Sequence, residues 1–307
     1  MKLHRTIALG LTMLILAGCA PATTPSPSGQ ENPTVTQPTV TEPTVTEPPA
    51  TEPTVTEEPQ PTEKKEYSIL FIGNSYTYYN KLPQSIFTTY AAAAGYRVEV
   101  TAITNGGYKL SEFADPEDPF GAKVMEALTG EKKYDFVVLQ EQSVTPASNR
   151  PAFYKAVRTL VEMVRASGAQ PILYSTWGRA DGSDTLTKYG WTRESMTWKV
   201  AAAYDAIGRE LDVPVAHVGL AFFDICENQP DIQLYASDLT HPSYMGSFLA
   251  ASCLFATIFQ RDPTTVPYNG TIITGEAPIL REAARKAIYE TPAIPDEYAL
   301  SSEGIGI

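Results

Sequence analysis

From Tyr67 onward the sequence predicts an α/β domain, with a five-stranded parallel sheet covered by helices on both faces. Two observations predict it. Short apolar runs of strand length alternate along the chain with longer amphipathic stretches of helical period. Each amphipathic stretch lies between two apolar runs, where a parallel pairing needs a crossover connection.

The strands predicted in chain order are Ser68 to Ile72, Arg97 to Ile103, Phe136 to Gln140, Pro171 to Thr176 and Val213 to Val218. Helices are predicted from Leu82 to Ala94, Ala122 to Thr129, Ala152 to Ser167 and Thr192 to Leu211. A final apolar helix runs from Ser243 to Phe259, with Pro242 suited to its start, and a short helical stretch follows from Ile279 to Tyr289. Open sheets of this kind bind ligands beyond the carboxyl ends of their strands, so chemistry is expected just after each strand.

The chain divides into three parts: an export segment 1–19, a spacer 20–65 and a folded domain 66–307. Lys2 and Arg5 precede the apolar stretch Ile7 to Leu16, and Leu16-Ala17-Gly18-Cys19 closes the segment. That tetrad resembles a bacterial lipobox, which implies a lipid on Cys19 and anchorage to the extracytoplasmic face of a membrane; an ordinary cleaved signal is the alternative. The apolar stretch is too short to span a bilayer. Between Pro21 and Glu63 the chain repeats Pro-Thr-Val-Thr units, which cannot bury enough apolar surface to offset their ordering entropy.

With 43% hydrophobic and 19% charged residues the chain has apolar material enough for a core without disulfide staples. A formal net charge of −12 argues against nucleic acid as a partner, since phosphate binding needs clustered Lys and Arg. The three cysteines, Cys19, Cys226 and Cys253, have no zinc-like spacing, leaving Cys226–Cys253 as the one conceivable disulfide and Cys253 as a small buried hydrophobe. No P-loop, His-Glu-x-x-His or Gly-x-Ser-x-Gly motif occurs, and no metal or cofactor is expected.

Gly73-Asn74-Ser75 follows the first strand and suits a tight turn, either presenting Ser75 as a nucleophile or capping the next helix. A serine nucleophile needs a base, and outside the export segment only His217 and His241 are available. Asp238 and His241 lie three residues apart directly before the last apolar helix, close enough for the carboxylate to orient the imidazole. His217 lies within an apolar strand without a nearby acid and is the second choice.

Gly-Asn-Ser followed far downstream by Asp-x-x-His-Pro resembles the first and last blocks of the SGNH, or GDSL, hydrolases. The resemblance implies a flavodoxin-like three-layer α/β/α fold, Ser75, His241 and Asp238 as the catalytic residues, and an oxyanion hole from the Ser75 amide, a glycine amide and a side-chain amide. For the glycine the match is Gly107, with Gly106 the alternative, in Thr104-Asn105-Gly106-Gly107. The third block departs from the family's Gly-x-Asn-Asp: it reads Leu139-Gln140-Glu141-Gln142-Ser143, and alignment on the strand end gives the amide position to Gln142.

Tyr76, Tyr108, Trp177 and Arg179 all follow strand ends and are expected to bind substrate. Aromatic rings stack on sugar faces, so an acylated carbohydrate is the first expectation for the ester. A lipid or small-molecule esterase, with a long apolar channel, and a carbohydrate-binding or adhesion module with weak catalysis are the alternatives.

Overall fold

The computed structural model describes residues 66–273 and 275–300. The export segment 1–19 with Cys19, the spacer 20–65 and residues 301–307 of the folded domain lie outside the described residues. No helix among the described residues is long and apolar enough to cross a membrane.

Five strands, β1 (Glu66–Gly73), β2 (Arg97–Thr104), β3 (Phe136–Leu139), β4 (Gln170–Ser175) and β5 (Val215–His217), form one parallel sheet in the order β2-β1-β3-β4-β5. This is the predicted three-layer α/β/α architecture. Because side chains alternate along a strand, Ile69 and Phe71 of β1 enter one apolar layer while Leu70 and Ile72 enter the other. The edge strand β2 is more exposed and carries charge at its rim, where Arg97 pairs with Glu66 at 2.8 Å and Glu99 with Lys132 at 2.7 Å. Charged edges of this kind discourage pairing with another chain.

The helices are α1 (Ser75–Tyr78), α2 (Thr88–Ala93), α3 (Leu110–Phe113), α4 (Pro119–Thr129), α5 (Thr145–Ser148) and α6 (Arg150–Ala166). They continue with α7 (Asp184–Tyr189), α8 (Arg193–Leu211), α9 (Val218–Asn228), α10 (Tyr244–Phe259) and α11 (Glu276–Tyr289). The layer containing Phe71 and Tyr174 is closed by α2, α9, α10 and α11, and the layer containing Ile72 and Leu173 by α3, α4, α6 and α8.

Several elements differ from the sequence reading: α1, α3, α5, α7 and α9 are not among the predicted helices, and α4 and α11 each start three residues early. The helix predicted from Leu82 opens as a π-helical segment, Leu82–Phe87, before continuing as α2, and it follows two residues of positive φ, Asn80 and Lys81. The strand predicted from Val213 to Val218 shortens to β5, and α9 begins in the next residue, where a continuous apolar run offers no boundary to read.

Register explains why the site lies where it does. Gly73 pairs with Thr104, and Ile72 with Leu139, so the loops leaving β1, β2 and β3 emerge side by side. Since β1 sits between β2 and β3, this is where the strand order reverses, the crevice such sheets use for ligands.

Candidate active site

Ser75 is the first residue of α1, held at the end of β1 by a compact polar turn. Asn74 caps α1 by accepting from the Tyr76 N–H at 3.2 Å, and its side-chain amide donates to the Tyr108 carbonyl at 2.9 Å. Buried Gln140 braces the turn from β3, its Oε1 accepting from the Asn74 N–H at 2.9 Å and from the Thr77 hydroxyl at 2.8 Å. A Cβ on Gly73 would come within 2.6 Å of Gln140 Oε1, so the turn requires glycine there for space.

The other half of the site is the Asp238–His241 turn before α10. Asp238 Oδ1 accepts from the Thr240 and His241 N–H groups at 3.0 and 2.9 Å, which fixes the carboxylate against its own loop. Its Oδ2 lies 2.6 Å from His241 Nδ1, and His241 Nε2 lies 2.8 Å from Ser75 Oγ. With the Nδ1 proton directed at the carboxylate, Nε2 is the lone-pair nitrogen that accepts from the serine hydroxyl. Partial burial works against the Asp238 carboxylate, but hydrogen bonds from the His241 ring and the two N–H groups outweigh it and hold its pKa below the usual value. Leu239, inside this turn, has φ of +59°, a left-handed conformation unusual for a branched residue.

Three donors face the space beside Ser75. The Ser75 and Gly107 N–H groups have no acceptor among the described residues, whereas Gly106 N–H is taken by Asn105 Oδ1 at 3.1 Å. Gly107 adopts φ of +74°, which permits this turn. Gln142 Oε1 accepts from the Val144 and Thr145 N–H groups at 3.0 and 3.3 Å and from the Thr145 hydroxyl at 3.1 Å, leaving Nε2 as its available end. Ser75, Gly107, Gln142 and His241 line one cavity of about 470 Å³.

Glu141, which the sequence reading left without a role, is buried behind this cavity. Its carboxylate accepts from the Gln142 N–H at 2.6 Å and from the Leu110 N–H at 3.2 Å, tying the third block to the loop after β2. Burial pushes its pKa up to about 7 against the opposing pull of those two N–H groups and of Lys109. Asn80 was also missed: its amide donates to the carbonyls of Pro242 and Ser243 at 3.0 Å and to Ser247 Oγ at 2.8 Å, joining the serine segment to the histidine turn.

Of the expected substrate-binding aromatics, Trp177 and Tyr108 do not line the cavity. Trp177 is fully buried, stacked between Tyr76 at 4.4 Å and Phe222 at 4.2 Å, and its indole N–H donates to the Thr240 carbonyl at 3.1 Å. It therefore supports the histidine turn from beneath. Tyr76 borders the cavity but is only 3% exposed, and burial raises its phenol pKa. Tyr108 turns toward Phe113 and Phe120, its hydroxyl donating to Asp118 Oδ2 at 3.3 Å, so only its carbonyl serves the nucleophile turn. Arg179 does line the cavity, bridging Thr240 Oγ1 at 2.8 Å and Ser143 Oγ at 3.1 Å. Two further tyrosines stand at the site: Tyr78 is 41% exposed on the cavity wall, and Tyr79 stacks on the His241 ring at 4.6 Å.

His217 lies apart from this group, at the end of β5, with Nε2 3.0 Å from Asp205 Oδ1 and a buried Nδ1 that has no partner among the described residues. Cys226 and Cys253 are both free thiols, and burial pushes the Cys253 thiol up.

No protein-family model matches the sequence, and no curated protein does. Among solved structures, a protein of Slackia heliotrinireducens described as a candidate SGNH hydrolase is similar over 63% of this chain and 99% of its own, at 34% identity and a TM-score of 0.56. A DUF4886 family protein of Bacteroides uniformis is similar in fold over 76% of this chain and 100% of its own, at 17% identity and a TM-score of 0.64.

Proposed function

The chain belongs to the SGNH hydrolases, serine enzymes that cleave esters, and from that premise we propose that it removes short acyl groups from carbohydrate through an acyl-enzyme on Ser75. The observation that carries the assignment of residues is the relay Ser75–His241–Asp238, with contacts of 2.8 and 2.6 Å, opening onto a cleft.

In this mechanism Ser75 Oγ attacks the ester carbonyl as His241 Nε2 takes the hydroxyl proton. Asp238 holds the ring in the required tautomer and stabilises the imidazolium. Charge developing on the carbonyl oxygen is met by the Ser75 N–H, the Gly107 N–H and Gln142 Nε2, donors already oriented and so needing little reorganisation. The tetrahedral intermediate collapses, His241 returns its proton to the leaving alkoxide, and the alcohol departs. Water then attacks the acyl-serine with His241 again as base, releasing the carboxylic acid and restoring Ser75.

A short acyl group and a polar alcohol are supported by the cavity wall, which is formed by Asn74, Gln142, Ser143, Arg179, Thr240 and tyrosines. A long acyl chain would call for an apolar channel beside the serine, and the described walls offer none. The assembled relay disfavours a module that only binds sugar. Lipidation at Cys19 and display on the outer face of a membrane, with 20–65 as spacer, complete the proposal and rest on the lipobox-like tetrad.

Hydrolysis of 4-nitrophenyl esters of increasing chain length, beside Ser75→Ala, tests the reading. Cleavage fastest for acetate and abolished by the substitution is expected. Preference for long chains would overturn the short-acyl assignment, and cleavage surviving in Ser75→Ala would overturn the mechanism.

A further inference from the structure

A second cavity of about 510 Å³ adjoins the first and shares Gly107, Gln142 and Arg179 with it, so the two form one cleft running away from Ser75. Its character departs from that of the whole chain. The protein carries a formal net charge of −12, yet among the described residues no Asp or Glu lines either cavity, and three cations, Lys109, Arg179 and Lys188, line the second. None of the three forms an ion pair among the described residues. Arg179 donates only to hydroxyls, and its Nε is buried without a partner. Lys188 Nζ lies 5.5 Å from the centre of the Tyr189 ring, which is 36% exposed and stacked on Trp191 at 4.4 Å. The remaining wall is rich in hydroxyl and amide groups, among them Ser111, Thr145, Ser148 and Asn149.

We propose that this second cavity is a subsite for the alcohol portion of the ester and that its ligand is an acidic sugar, a hydroxyl-rich ring bearing a carboxylate. Three cations with no carboxylate in direct contact, Lys109 being partly offset by Glu141 behind the wall, would attract the anion, since excess charge around a concave site raises the local concentration of a ligand of opposite sign. Tyr189, held in place by Trp191, adds an aromatic edge to the cavity lining, and the hydroxyl and amide wall matches a polyhydroxy ligand. The position fits as well: an acyl group on Ser75 leaves the alcohol to extend along the cleft toward Arg179 and Lys188. This inference deepens the esterase reading and rests on it for the ester bond.

The test uses the full chain and two probes of equal length, an acetylated oligogalacturonide and an acetylated xylo-oligosaccharide. Binding to Ser75→Ala is measured by calorimetry, and cleavage by the unmodified protein is measured by acetate release. Tighter binding of the acidic probe, weakened as salt rises from 0.05 to 0.5 M, is expected. Lys109→Gln combined with Lys188→Gln should weaken that binding by about fivefold to twentyfold, taking each screened ion pair as worth roughly two- to fivefold. Lys123→Gln, a cation on α4 outside both cavities, should not. Equal binding of the two probes, or equal losses in the Lys109/Lys188 and Lys123 variants, would overturn the subsite. If acetate is released equally from both probes, the esterase stands and the subsite falls. If 4-nitrophenyl acetate is not cleaved while the acidic probe still binds in a salt-dependent way, the esterase reading falls and the anionic subsite stands.

Discussion

Two histidines in this domain each sit beside an aspartate, and only one of them is part of a relay. His241 gives Nδ1 to Asp238 at 2.6 Å and keeps Nε2 for Ser75 at 2.8 Å. His217 gives Nε2 to Asp205 at 3.0 Å, and its Nδ1 faces the interior with nothing to activate. A carboxylate neighbour alone does not make an imidazole a catalytic base. What matters is which nitrogen the carboxylate occupies, and whether a nucleophile waits at the other.

Removing each carboxylate is the strongest way to break the comparison. Asp238→Ala is expected to lower kcat for 4-nitrophenyl acetate by about 10^4-fold with little change in stability. Asp205→Ala is expected to leave kcat within about threefold and to cost about 1–3 kcal/mol in urea unfolding, because the buried His217 ring loses its acceptor. Equal kinetic losses in the two variants would abolish the distinction drawn here.

Next in size is the oxyanion side of the site. Gln142→Ala is expected to reduce kcat by roughly a hundredfold, the loss typical of one such donor, with KM little changed. A change confined to KM would make Gln142 a binding residue only.

The smallest effect concerns stability and pH. Glu141 holds its proton up to about pH 7 in the folded chain, whereas an unfolded carboxylate releases it in the ordinary acidic range. Across that window the folded state binds more protons than the unfolded state, so stability falls as pH rises, by about 2 kcal/mol between pH 5 and 8. Glu141→Gln should flatten this slope in denaturant titrations at the two pH values. A slope unchanged by the substitution would place its origin elsewhere.

The strands β1 to β4 and the turn carrying Ser75 were legible because both rest on local pattern: short apolar runs of strand length, and a Gly-Asn-Ser turn directly after one of them. Asp238 and His241 were legible as a pair because they are neighbours in one short turn. Asn80 was not, since its bonds to Ser243 and Ser247 join segments more than 160 residues apart and leave no trace in spacing. Trp177 misled for a related reason: an aromatic after a strand end can point into the cleft or under it, and its stacking between Tyr76 and Phe222 directs it under it. The boundary between β5 and α9 was hidden because buried strand and buried helix share the same apolar composition.

The central claim is that Ser75 is the activated nucleophile and that His241 activates it. Labelling the full chain with a fluorophosphonate, followed by identification of the modified peptide by mass spectrometry, tests this most directly. The account predicts a single adduct on Ser75, formed rapidly in the unmodified protein and very slowly in His241→Ala. An adduct on another residue, or Ser75 labelling at an undiminished rate without His241, would contradict it.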